Sequence, residues 1–239
     1  MGAAGMNVSP GGTVKSFRSL VPALGISAVA CGGMSGMGMS SSSSAMRSFG
    51  TLGSDMSTTL AAYSTNTTSM ADEAACNAAH EAYQPAMAGM IDRMSAMSAT
   101  MDAHMARYGL ASFGSEMTCV ADALAAELAR HHTIACAAPN VSADRSEAAL
   151  HVGIMAALLH HQRARYESIG SMMGMMQSPP NATWTCAQSA DGTFTIGGAP
   201  WTPGTSLGTA GSVDLETWPM PCDGSCGGCS GADLGMVGM

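Results

Sequence analysis

The sequence predicts a mainly α fold, an up-and-down helical bundle of three to four helices with a small irregular or β-hairpin C-terminal segment. Three observations carry this. First, Cys76, His80, Tyr83, Met87, Met90, Met94, Met97, Met101 and Met105 recur at steps of three, four and seven, which is one face of a helix. Second, two later stretches repeat the helical spacing of apolar residues across short links, and short links make consecutive helices antiparallel neighbours. Third, beyond Pro179 the texture changes to Gly, Pro, Thr and Trp, with turn residues bracketing short alternating runs.

Residues 1–30 read as a signal peptide. Lys15 and Arg18 precede a short apolar run from Leu20 to Ala30, too short to span a bilayer as a mature helix. The run ends Ala28-Val29-Ala30-Cys31, which resembles the lipobox of bacterial lipoproteins, although that family more often has Leu where this chain has Ala28. The resemblance implies cleavage before Cys31, a lipid anchor on Cys31, attachment to a membrane, and, with Gly32 rather than Asp next, an outer-membrane lipoprotein facing the periplasm or the cell surface. Ordinary cleavage after Ala30, giving a secreted protein, is the alternative.

Residues 31–68 are Gly, Ser, Met and Thr with a Ser40 to Ser44 run, a composition that does not repay the entropy of ordering and so predicts a flexible linker. Within it, Asp55 to Tyr63 has the makings of a short helix.

Residues 69–178 form the expected bundle. Its first helix starts at a Ser69 cap with Asp72 three residues on and stops before Gly109; Pro85 is expected to kink it or to split it in two. The second helix runs from Ser115 to about Ala137, with Val120, Ala121, Leu124, Leu128 and Ala135 inward, and Pro139 ends it. The third follows Ser142, with Leu150, Ile154, Met155, Leu158 and Ile169 inward. Residues 179–239 hold all three Trp, the Thr193–Ile196 alternation between Asp191-Gly192 and Gly197-Gly198, and a Cys-rich tail.

Composition bounds the function. A net charge of −8 with no basic run leaves nucleic acid without its electrostatic footprint. Eight Cys fit an oxidising compartment, where disulfides persist. There are 23 Met, and thioether sulfur is a soft ligand suited to Cu(I), although Met stripes also serve as core packing.

All the His residues, at 80, 104, 131, 132, 151, 160 and 161, fall inside the bundle segment. Aligning the expected helix ends puts His131 opposite position 92, beside Met90 and Met94, and near His151. The same reasoning puts His161 beside Cys119 and His104. The candidate metal residues are therefore Met90, Met94, His131, His151, His104, Cys119 and His161, with copper as the cofactor.

Glu127-x-x-x-His131 and Glu147-x-x-x-His151 place carboxylates that could orient the imidazoles or bond them with no metal at all. The Glu-x-x-His of di-iron bundles is absent. Leu159-His160-His161-Gln162 is similar, over those four residues, to the paired-His helix of a copper-associated, ferritin-like secreted family.

Cys76, Cys119, Cys136 and Cys186 are either ligands or staples, with connectivity open. Cys222-x-x-x-Cys226-x-x-Cys229 has the spacing of S-adenosylmethionine radical enzymes, but the barrel that follows that motif has no room here. No Gly-x-Ser-x-Gly occurs in the helical segments, and no His-Glu-x-x-His or phosphate loop is present, so no enzyme activity is expected. The reading is an extracytoplasmic soft-metal protein for storage, buffering or delivery. Its rival is a structural or interaction lipoprotein whose Trp-rich C-terminal part makes the contacts.

Overall fold

The computed structural model describes residues 39–106, 111–172, 176, 185–208 and 218–221. Four helices come first: α1 (Met39–Ser69), α2 (Glu73–Ala106), α3 (Ala111–Ile134) and α4 (Val141–Met172). An antiparallel sheet in the order β1-β2-β3 follows, built from β1 (Cys186–Gln188), β2 (Phe194–Ile196) and β3 (Ala199–Trp201). The mainly helical bundle with a small β element is thus as expected. Among the described residues no helix is long and apolar enough to cross a membrane. The signal-like N-terminus, Cys31, Trp184 and the tail from Cys222 lie outside the described residues.

The largest correction is α1. The stretch expected as a flexible linker is helical from Met39 to Ser69, and Met46, Phe49, Leu52, Met56, Leu60 and Tyr63 are buried along one face at helical spacing. Composition misled because the other faces are Ser and Thr, whose hydroxyls bond back to carbonyls one turn earlier, as in Thr51 to Arg47, Thr58 to Ser54 and Thr65 to Ala61.

The glycines of α1 are there for contact rather than freedom. A Cβ on Gly53 would lie 2.3 Å from the Trp218 ring, and one on Gly50 would lie 2.5 Å from the Tyr166 hydroxyl. Trp218 is seated against α1, its backbone N–H donating to Ser54 Oγ at 3.0 Å and its indole N–H to Ser57 Oγ at 3.3 Å. Tyr166 donates to the Pro219 carbonyl at 2.9 Å. Trp201 is likewise buried, 4% exposed, with Phe194 edge-on to it. These two Trp are therefore committed to the core.

In α2, Asp72 rather than Ser69 is the cap, accepting from the Ala75 N–H at 2.8 Å; Ser69 instead ends α1. Pro85 does not split the helix, which runs through it from Glu73 to Ala106. At α4, Asn140 caps Ala143 at 3.0 Å, and Leu150, expected inward, is 36% exposed. Ile154, Met155, Leu158 and Ile169 are buried as expected.

Two disulfides fix the connectivity that spacing left open. Cys76–Cys136 joins the start of α2 to the end of α3, and Cys119–Cys186 joins α3 to β1. The β2–β3 turn is Gly197-Gly198 with both φ positive, the geometry a two-residue hairpin requires.

The seating of Trp218 gives a direct check. Gly53→Ala forces a methyl into the indole and should lower stability by ~1–3 kcal/mol. Gly89→Ala, whose added Cβ meets nothing within 4 Å, should raise it by ~0.5–1 kcal/mol through helix propensity. Chemical denaturation of both variants measures this, and equal small effects would mean Trp218 does not pack on α1.

Candidate functional site

Where α1 ends and α2 begins, and where α3 ends and α4 begins, the chain turns at one end of the bundle, so Tyr63, His80, Tyr83, Glu127, Arg130, His131, His132, Glu147 and His151 share a layer. Its centre is a stacked pair of imidazoles. The His131 and His151 rings lie 3.9 Å apart and 7° from parallel, and both are buried to within 1%. Beside them the Tyr63 and Tyr83 rings stack at 4.1 Å.

The hydrogen bonds cross between helices. His151 Nδ1 meets Glu127 Oε1 at 2.9 Å, and His131 Nδ1 meets Glu147 Oε1 at 3.3 Å, so each imidazole is held by the carboxylate of the other helix. A carboxylate only accepts, so both rings carry their proton on Nδ1. Both Nε2 atoms then accept from phenols: Tyr63 donates to His131 at 2.7 Å and Tyr83 to His151 at 2.9 Å. The two Tyr–His pairs have the same sequence separation, 68 residues.

Arg130 closes the network. Its guanidinium donates to both oxygens of Glu127, at 2.7 and 3.0 Å, and to Glu147 at 2.6 Å. The Gly204 N–H, on the loop after β3, donates to Glu127 Oε2 at 2.7 Å. A Cβ at Gly204 would meet Arg130 at 2.9 Å, so the loop lies directly on the guanidinium.

Burial sets the protonation. It holds His131 at about 2, with His151 and His80 adding to the effect, because a charged ring there would be desolvated and would face other imidazoles. Burial lowers His151 and His80 too, against the opposing pull of Glu127 on the former. Burial alone would raise the Glu127 carboxyl, but hydrogen bonds from His151 and Arg130 bring it below the ordinary range. Tyr63 and Tyr83 are raised by burial and stay protonated. Around the neutral His131 and His151 rings, the Glu127 and Glu147 carboxylates share the Arg130 guanidinium.

Several sequence-predicted residues are elsewhere. Cys76 faces Cys136 and His80 faces His132 at 3.0 Å, which sets His131 opposite residue 81 and not 92. The slip of about 11 residues moves Met90 and Met94 ~16 Å along α2. Met94 is fully buried in the apolar core and Met90 packs at its edge. Cys119 is oxidised to Cys186 and has no thiolate to offer. His161 is buried and meets Glu116 at 3.1 Å. Glu116 also accepts from Arg165 at 2.7 Å and from the Cys186 N–H at 3.2 Å, anchoring β1. The side chain of His104 lies outside the described residues.

Of the proposed set, His131 and His151 are seen to meet among the described residues. Among the described residues, no three His, Cys, Asp or Glu side chains are arranged to hold a metal ion in this disulfide-bonded form. Tyr63 was hidden in the supposed linker, and Arg130 carried no motif. The readable signal was the equal offset between the two Tyr and the two Glu-x-x-x-His runs.

No family model matches the chain, and no curated protein or solved structure is detectably similar to it.

The lowered imidazoles fix the pH dependence. The unfolded chain takes up protons near 6.5 while folded His131 does not until about 2, so stability is full above pH 6.5 and declines as pH falls below it. Carboxylates such as Glu127 add their own loss only below about 4.5. Thermal melts should therefore weaken between pH 7 and 5, before the carboxylates titrate, and replacing His131 by Gln should flatten that part of the curve. A melting temperature constant from pH 7 to 5 would contradict the buried neutral pair.

Proposed function

We propose that the protein is an extracytoplasmic bundle that binds copper or a related ion for storage, buffering or delivery, without catalysis. The observation that carries it is the combination of two buried neutral imidazoles, each oriented at Nδ1 by a carboxylate. Carboxylate-held imidazoles are the usual form of a His ligand, with Nε2 directed at the metal. The donors are His131 and His151 Nε2, and Tyr63 and Tyr83 hydroxyls are the groups that an ion displaces. Imidazole suits copper, zinc, iron and nickel alike, and the oxidising compartment implied by the disulfides favours copper among them. Attachment through Cys31 as an outer-membrane lipoprotein remains part of this proposal and rests on the Ala28-Val29-Ala30-Cys31 run.

One observation favours a second reading. Tyr63 and Tyr83 already satisfy both Nε2 atoms, so the layer is complete as a polar core, in the manner of a structural or interaction protein of the envelope.

Copper titration separates them. In a Cys31, Cys222, Cys226 and Cys229 to Ser background with both disulfides intact, Cu(I) kept reduced by ascorbate and set against a competing chelator should bind tightly and raise the melting temperature. The double change His131→Ala, His151→Ala should weaken that binding at least about tenfold, ~1.4 kcal/mol. Equal binding by both proteins, or none by either, leaves the second reading standing.

A further inference from the structure

Next to the stacked pair, a different set of side chains comes together on α2 and α3 alone. Cys76 and His80 are four residues apart on α2, and His132 and Cys136 are four apart at the end of α3. That spacing puts two side chains on one helical face, where a pair can reach a single metal ion. The two faces meet: Cys76 and Cys136 are bonded, and His80 Nε2 lies 3.0 Å from His132 Nδ1 with the rings stacked at 5.3 Å. Cys136 sits just past the helix with φ of 58°, a left-handed turn that brings its sulfur back over α2.

His80 is nine-tenths buried, and it is its Nε2 that faces His132. His132 is exposed, so the group is open to solvent on one side.

We propose that reduction of the Cys76–Cys136 disulfide opens a Cys2His2 site for a tetrahedral divalent ion of the zinc class, made of Cys76, His80, His132 and Cys136. The reductant is a dithiol. It transfers two electrons and two protons to the disulfide, becoming a disulfide itself and leaving Cys76 and Cys136 as thiols; the ion then displaces both thiol protons and binds the two thiolates.

The geometry asks for little movement. Tetrahedral bonds of about 2.05 Å place two ligand nitrogens about 3.3 Å apart, against 3.0 Å between the His80 and His132 nitrogens here. The sulfurs, once unbonded, separate to about 3.8 Å. Two thiolates cancel the charge of the ion, and the metal replaces the disulfide as the tie between α2 and α3. Two states follow: a disulfide-closed form in an oxidising compartment and a metal-closed form under reduction. The site uses neither His131 nor His151, so it is independent of the copper proposal.

The test uses the full chain with Cys31, Cys222, Cys226 and Cys229 replaced by Ser, so that only the two disulfides remain, and Co2+ as the probe. The oxidised protein should give no tetrahedral cobalt spectrum. After reduction by a phosphine, one equivalent of Co2+ should produce the intense visible bands of a tetrahedral site with thiolate charge transfer, and Zn2+ should bleach them. The double change His80→Ala, His132→Ala should weaken binding at least about tenfold, while replacing Cys119 and Cys186 by Ser should leave it intact. If reduction alone melts the helices, one equivalent of Co2+ should restore the helical circular dichroism in the protein with both His and not in the double variant. Binding equal in oxidised and reduced protein, binding that survives loss of both His, or no binding and no recovery of helix after reduction overturns the proposal.

Discussion

The crossed pairing of Glu127 with His151 and of Glu147 with His131 is the contact on which the geometry of the bundle turns. An imidazole buried to within 1% needs partners at both nitrogens, since each orphaned polar group costs ~1–3 kcal/mol. On α3 and α4 the two pairs are made together or lost together. A slide of one helical turn between these antiparallel helices removes both carboxylates from both rings at once. Apolar residues alone set no such condition, because Leu, Met and Ala pack in neighbouring registers at small cost. The network therefore selects one register from several that the apolar faces would accept, and Tyr63 and Tyr83 extend that selection to α1 and α2.

Charge within the layer is arranged to be tolerable. Arg130 spans both carboxylates, and the Gly204 N–H supplies a further donor to Glu127. Removing Arg130 would leave two carboxylates facing each other across neutral rings, a far worse state than replacing the whole set by apolar residues. The loop after β3 is thus tied to the buried layer through Gly204. Cys119–Cys186 and Glu116 hold β1 to α3 from the other direction.

Helix periodicity located α2, α3 and α4 because their buried faces carry Met, Leu, Ile and Val at regular steps, although it set Leu150 inward, and the Gly-Gly turn read the β2–β3 hairpin. It failed at α1. There the buried face is as regular, but Ser and Thr occupy the rest and Gly50 and Gly53 serve as seats for Tyr166 and Trp218, so local composition describes a linker and only the tertiary partners reveal a helix. The site was half legible: His131, His151 and both Glu could be singled out, while Met90 and Met94 were assigned to them through a register that assumed flush helix ends. Cys76–Cys136 and His80–His132 set a different register, and no local signal reports a slip of that kind.

The tautomer and charge of the stacked pair are where the account is most exposed. Nitrogen-15 imidazole shifts of the folded protein, assigned by replacing His131 and His151 one at a time by Gln, read both directly. The crossed network requires two neutral rings with the proton on Nδ1, unchanged from pH 7 to pH 5. A ring that carries its proton on Nε2, or that becomes charged within that range, would contradict it.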